Sequence, residues 1–247
     1  MTLHRWLRVV AAVALGAEAF PARAEEPKSP WKAQAAASYA RTSGNTSTQT
    51  VAATAEAAYE PNPNRYYGKA GWMYGKNEGL TNTNKYYLDG RYERTITDRL
   101  FGFVNANFQK DKFSGYDYQW YVGPGLGYEF IKTDNHHLKG LAGVLYSYDK
   151  FPLGDSKDHD SYAAGLASAE YEWKITDTIK FKEAADYRVS LKDTNVYFIN
   201  SNTTLEVKLA ANLALGLGYL VNYRNDLPSK DLKHTDTTFL SSLIVTF

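Results

Sequence analysis

The sequence predicts an all-β fold, a transmembrane antiparallel up-and-down β-barrel of twelve strands. Three observations predict it: an export leader at the N-terminus, alternation of apolar and polar residues in segments long enough to cross a bilayer, and short connections that take turns with longer, more polar ones. Strand-type alternation places successive side chains on opposite faces. A tilted strand of about 9–11 residues crosses the hydrocarbon layer.

Residues 1–24 read as a secretory signal peptide. Arg5 and Arg8 supply the charge, an apolar run extends from Leu7 to Ala17 with only Arg8 interrupting it, and Ala22-Arg23-Ala24 is the cleavage site. The run is too short for a membrane helix, which needs about 20 residues. This leaves 25–247 as the barrel domain, with 25 basic and 26 acidic residues. Such balance, with no basic stripe, argues against a nucleic-acid partner. The absence of cysteine removes disulfides, thiolate metal sites, thiol nucleophiles and a lipoprotein anchor. No cofactor is expected.

Strands are expected at 31–42, 48–59, 65–76, 84–94, 100–111, 118–130, 137–149, 161–173, 179–191, 196–208, 213–225 and 235–247. In the fifth, Val104, Ala106 and Phe108 oppose Asn105, Asn107 and Gln109. The sixth sets Tyr118, Trp120, Val122, Leu126, Tyr128 and Phe130 against Gln119, three glycines and Glu129. In the seventh and eighth the pattern is poor, and the sequence does not assign their faces. The ninth sets Phe181, Ala185, Tyr187 and Val189 against Lys182, Asp186, Arg188 and Ser190; Glu183 falls on its apolar side. The eleventh alternates cleanly from Leu213 to Tyr223, and the twelfth carries Phe239, Leu243, Val245 and Phe247 on one face, with Leu240 and Ile244 as exceptions on the other.

Short connections lie at 60–64, 95–98, 133–135, 175–177 and 210–212, three of them sharing a Thr-Asp element that suggests a repeated hairpin turn. Longer ones are expected at 77–83, 112–117, 151–160 and 225–234, with smaller members at 43–47 and 192–195. Outer-membrane barrels are built this way, with short periplasmic turns and longer external loops. Closure follows from solvent: lipid cannot satisfy the backbone groups of an open sheet edge. Aromatic residues near strand ends, among them Trp31, Tyr39, Tyr59, Tyr66, Tyr92, Tyr118, Trp173, Tyr197 and Tyr223, are expected to form two interfacial girdles. A mean hydropathy of -0.47 fits a polar lumen diluting a lipid-facing exterior.

Phe239, Leu243, Val245 and the terminal Phe247 look like the C-terminal signal that barrel-assembly machinery recognises. The opening strand ending in Thr42-Ser43-Gly44-Asn45-Thr46, a second strand ending at Glu56 to Tyr59, and Gly125-Leu126-Gly127-Tyr128-Glu129-Phe130 add a family likeness. Together they resemble the YdiY-like family of salt-induced outer-membrane proteins, over the whole of 25–247. The resemblance implies fold, location and a link to salt or osmotic stress; it carries no functional residues.

The charges expected to face the lumen are Lys69, Lys85, Asp89, Arg91, Glu93, Lys180, Lys182, Asp186, Arg188, Glu206 and Arg224, accompanied by Lys32, Gln34, Glu56, Arg65, Glu129 and Lys208. Two uses are open: a narrow channel that passes ions or small solutes past charged rings, or a lumen plugged by ion pairs in an envelope-stabilising protein. Expected partners are outer-membrane lipid and lipopolysaccharide. An enzymatic reading is weaker, because His136, His137, His159 and His234 fall in or beside connections, away from any mid-strand serine. A surface hydrolase and a soluble secreted binding protein are the alternatives. The acidic loop from Asp155 to Asp160 is a weak cation candidate, opposed by Lys157, and no catalytic or metal residue is assigned. Gly123-Pro124-Gly125-Leu126-Gly127 lacks the following helix that an anion-binding loop requires. It reads as a bend or close approach within a strand.

Overall fold

The computed structural model describes residues 30–42, 48–152, 157–228 and 232–247. The expected leader, the whole connection 43–47 and parts of two others, including Asp155, lie outside them. Among the described residues the chain forms twelve strands: β1 (Trp31–Thr42), β2 (Thr48–Tyr59), β3 (Asn64–Asn77), β4 (Leu80–Thr95), β5 (Leu100–Asp111), β6 (Tyr118–Lys132), β7 (His136–Lys150), β8 (His159–Lys174), β9 (Ile179–Ser190), β10 (Tyr197–Ala210), β11 (Leu213–Arg224) and β12 (Thr235–Thr246). Each pairs antiparallel with its sequence neighbours, and β1 closes on β12 from Gln34↔Thr246 to Ser38↔Ser242, giving one closed barrel. Ser38 and Ser242 share a 2.6 Å hydroxyl hydrogen bond across that seam.

The connections segregate to two ends. At the short-turn end, Thr97, Thr133 and Thr176 build one device three times. Each threonine hydroxyl accepts from the backbone N–H three residues on, at 3.0, 2.9 and 3.0 Å, and each threonine N–H donates to the carbonyl of that same residue. This accounts for the recurring Thr-Asp element. At the opposite, long-loop end, the connection expected over 77–83 is instead a tight turn. Glu78 (φ 50°) and Gly79 (φ 83°) are both left-handed, as a two-residue hairpin matched to strand twist requires. β3 and β4 therefore extend into residues whose polarity suggested a loop, Asn77, Asn82 and Thr83.

Outward-facing side chains form an apolar band, with Leu88, Val104, Leu126, Val144, Ile199 and Phe239 all exposed. Aromatic rings border it. Trp31, Tyr59, Tyr66 and Tyr92 stack in sequence with centroids 4.4, 6.1 and 5.2 Å apart, and His136, Tyr171 and Trp173 continue the short-turn girdle. Phe108, Tyr118, Tyr148, Trp120 and Tyr146 form a similar ladder at the long-loop end, with Tyr187, Tyr197 and Tyr223 further round. An apolar exterior between two aromatic girdles, on a closed sheet, is the form a bilayer imposes. Phe239, Leu243 and Val245 of β12 lie on this exterior face, and Phe247 follows, its N–H bonded to the Ala33 carbonyl at 2.9 Å.

The inside departs from the expected polar lining. Phe101, Phe103, Leu141, Leu145, Tyr162, Ala164 and Leu166 form a buried cluster within the lumen, joined by Tyr121 and Val196. Leu240 and Ile244 also point inward and are buried. The poor alternation of β7 and β8 thus has a cause: through the middle of each strand both faces are apolar, one toward lipid and one toward this cluster, with polar lumen residues only toward the ends. Gly125 and Gly127 make room for it, since a β-carbon there would meet the Phe103 ring at 2.3 Å and the Phe101 ring at 2.1 Å. The β6–β7 ladder skips residues 123 and 124, within the stretch whose glycines and proline read as a bend or close approach.

Candidate functional site

The candidate site is the lumen, whose wall divides into two parts. On β3–β8, near the short-turn end, charged groups interlock. Glu93 is fully buried (0 % exposed) between Arg65 Nε and Arg91 Nε, each at 2.9 Å, with Lys139 Nζ at 3.9 Å. Arg91 reaches from β4 to Glu170 of β8 at 2.5 Å, and Lys139 meets the same carboxylate at 2.9 Å. Arg65 bridges to Glu129 of β6 at 3.0 Å, and Lys132 caps that group at 2.6 Å. The Tyr67 ring lies beneath Arg91 and Lys139, 5.2 and 5.5 Å from their charges. An isolated buried carboxylate would be expensive, so each acid here has at least two cations.

Toward the long-loop end the same side of the lumen is closed by polar chains over the apolar cluster. Gln109 contacts Gln119 at 2.8 Å; Gln119 donates to Asp149 at 2.8 Å, and the Tyr162 phenol donates to the other Asp149 oxygen at 2.8 Å. Arg188 is held between the rings of Phe198 (4.3 Å) and Tyr121 (5.0 Å) and donates to Ser147 Oγ at 3.2 Å. The β5–β6 connection leans across the mouth. Arg224 donates to the Ser114 carbonyl at 2.5 Å, and Gly115 packs so closely on Pro228 and Leu232 that a β-carbon would stand 2.5 Å from Pro228. Burial among these groups pushes the Tyr116 phenol pKa up.

The other part, on β9–β10 and β2–β3, keeps its charges in contact with water. Lys69 and Glu56 pair at 2.7 Å while remaining 33 % and 34 % exposed, and Gln34 donates to the same carboxylate at 2.6 Å. Across the lumen Lys182 pairs with Glu206 at 2.7 Å, and Lys180 lies 3.6 Å from Glu172. Asp186 accepts from Asn200 at 2.9 Å, and at the β4 margin Asp89, the ladder partner of Lys69, accepts from Asn107 of β5 at 2.5 Å. Pairs between such partly exposed charges are held more loosely than the buried ones.

All the charges expected in the lumen lie on inward-facing register positions, but they sort into these two settings. Arg91, Glu93 and Arg188 belong to the packed part. Lys69, Asp89, Lys180, Lys182, Asp186 and Glu206 belong to the open part. Lys85 stands opposite Asp111, and Arg224 near the mouth also contacts Asp236 at 3.4 Å. Sequence reasoning missed Lys139, Tyr67, Asp149 and Tyr162, and did not place Glu170 among the lumen charges. Lys139 and Glu170 sit on the two strands whose faces could not be assigned. The histidines do not converge: His136 meets the Tyr171 hydroxyl at 2.8 Å on the exterior, and His137 faces Glu129 within. In the acidic loop, Asp158 pairs with Lys150, and Asp160 with Lys157 and Lys192 at 2.6 and 2.9 Å.

Comparison with known proteins places this geometry in a family. An uncharacterized Escherichia coli protein, YdiY, is 26 % identical over 222 residues, covering 87 % of this chain and 83 % of its own. Among solved structures, the COG4313 outer membrane channel from Pseudomonas putida superposes with a TM-score of 0.52 at 8 % identity, covering 93 % of this chain and all of the channel. The translocator domain of autotransporter NalP from Neisseria meningitidis gives 0.48 at 12 % identity, covering 99 % and 94 %. The family model described as "Protein of unknown function, DUF481" matches residues 35–247, nearly the whole barrel, and the chain belongs to that family.

Proposed function

We propose that this protein is a non-enzymatic outer-membrane channel that passes ions or small solutes along one side of its lumen. The observation that carries the reading is the division of the wall: Lys69, Glu56, Lys182, Lys180 and Glu172 stay hydrated while the facing wall is dry and packed. Charged side chains lining a water-accessible path select permeants by sign and size. A twelve-stranded barrel is small enough for the packed wall to narrow that path well below a porin's aqueous channel. Resemblance to an outer membrane channel supports the location, and the short turns then face the periplasm with the longer loops outside.

A second reading rests on the ion pairs that join β3 to β6 and β4 to β8. These brace the wall, and in an envelope-stabilising protein responsive to salt or osmotic stress bracing would be the purpose. Single-channel recording from the refolded chain in a planar bilayer separates the two. Discrete salt-dependent steps are expected, and a reversal potential under a salt gradient gives the sign of the preferred ion. A barrel that inserts, seen as a heat-dependent shift in gel mobility, but stays silent would overturn the channel and leave the bracing role.

A further inference from the structure

Glu183 lies on the wrong face for a lumen charge. On β9 its neighbours along the same face are Phe181 and Ala185, and its partners across the ladder are Tyr171 of β8 and Thr203 of β10, all outward-facing. Among the described residues it is the one acidic or basic side chain on the exterior from the level of the short-turn girdle, where its partner Tyr171 lies, to the long-loop girdle. An ionisable group in that position is costly and points to a role. It is also built in. Ser201 Oγ donates to one carboxylate oxygen at 2.7 Å and Thr203 Oγ1 to the other at 2.5 Å, which fixes the direction of the carboxylate.

Next to it the exterior is hollow. Gly140, Ala142, Ala167, Ala169 and Ala185 form the floor of an apolar depression of about 560 Å³, with Leu126, Tyr128 and Phe130 on one side and Tyr187 and Ile199 on the other. The floor adjoins Glu183, since Ala169 and Ala185 are ladder partners one step along the same face from Tyr171 and Glu183. An apolar trough ending at a fixed carboxylate matches an amphiphile with an acyl chain and a cationic, hydrogen-donating head. Beside the short-turn girdle, the available amphiphile of that kind is a phospholipid of the facing leaflet. A second copy of the chain fits poorly, because a two-fold contact would set two hollows against each other and bring two Glu183 carboxylates together.

We infer that Glu183, Ser201 and Thr203, with the adjoining Gly140–Ala185 trough, form an exterior binding site for an ethanolamine phospholipid, whose primary ammonium pairs with Glu183. The inference rests on the transmembrane placement and is independent of conduction. To test it, the full chain is refolded into vesicles holding equal amounts of phosphatidylethanolamine, phosphatidylcholine and phosphatidylglycerol, extracted gently, and its retained lipid read by native mass spectrometry. About tenfold enrichment of the ethanolamine lipid over both others is expected, the size of one charge-assisted hydrogen bond. Choline lacks the N–H donors, and the glycerol head lacks the cation. Glu183→Gln should remove the preference, and Ala169→Leu, which fills the trough, should lower retention of all three lipids. Equal retention by an inserted wild-type barrel, or enrichment unchanged in Glu183→Gln, would overturn the site. A dimer lost in Glu183→Gln would overturn it in favour of self-association, and failure to insert would remove the membrane placement itself, a result visible separately in gel mobility.

Discussion

The β4–β8 side of the lumen, joined by Arg65 of β3, and the β9–β10 and β2–β3 side are made from strands of similar length, paired the same way, and both carry charges inward. They differ in what stands between the charges. On the first side Phe101, Phe103, Leu141 and Leu145 exclude water, so Glu93 and Glu129 must be matched by Arg65, Arg91, Lys132 and Lys139 at contact distance. On the second, small and polar residues such as Ala184, Asn202 and Thr204 leave space, and the pairs stay wet. The same residue types thus serve as mortar in one place and as lining in the other, and their apolar neighbours decide which.

The contrast should appear first in stability. Replacing Glu93 by Ala leaves Arg65, Arg91 and Lys139 crowded around an empty centre, and removing one partner of a buried pair costs roughly 3–5 kcal/mol. Urea unfolding of the protein in vesicles should show a loss of that order; no change would mean the network is hydrated like the other wall. Phe103→Ala should cost a comparable or slightly smaller amount, about 3–5 kcal/mol where the cavity persists. It should also raise unitary conductance by widening the path, and a rise without a stability loss would show that Phe103 is a loose obstruction and not part of a core.

On the open side the order reverses. Lys182→Gln should change stability by less than about 1 kcal/mol, as expected for a partly exposed pair. Yet it should shift the reversal potential toward cation preference by leaving Glu206 and Glu56 unbalanced. An unchanged potential would place the permeation path elsewhere. The smallest effect is expected outside the sheet, at Glu60. Burial pushes its carboxyl up, but the Lys32 ammonium at 2.5 Å and the Tyr67 phenol at 3.2 Å outweigh this and hold it below its ordinary value. A lowered folded pKa gives stability that is present above the unfolded pKa and lost as pH falls through the folded one. Glu60→Gln should remove that acid-side loss and leave neutral-pH stability within about 1 kcal/mol, since Lys32 is largely exposed.

How far these walls could be read from sequence follows the same division. Strands with one polar and one apolar face announce themselves by alternation, and β1, β2 and β5 have the expected limits while the others differ by up to a few residues. Hydrated charges such as Lys69 and Lys182 fall on the polar positions of clear patterns. The packed wall was hidden, because a strand with lipid on one side and Leu141, Leu145 or Leu166 on the other is apolar on both faces through its middle and shows no period there. Lys139 and Glu170 were lost with it. The glycines at 125 and 127 were the available hint, as strand glycines mark close approach, but what approaches them, Phe101 and Phe103, comes from the neighbouring strand. Partners such as Arg91 and Glu170 are 79 residues apart, and only closure of the barrel brings them together.

Since the chain has no cysteine, single cysteines report accessibility without background. The most direct test of the divided lumen compares Lys69→Cys, Lys182→Cys and Ala184→Cys with Leu145→Cys and Ser147→Cys, each inserted in a planar bilayer and exposed to a charged thiol reagent from one side and then the other. The first three should react from both sides and reduce the current, and the last two should stay protected. Protection of all five, or reaction of the first three from one side only, would contradict a continuous path along the open wall.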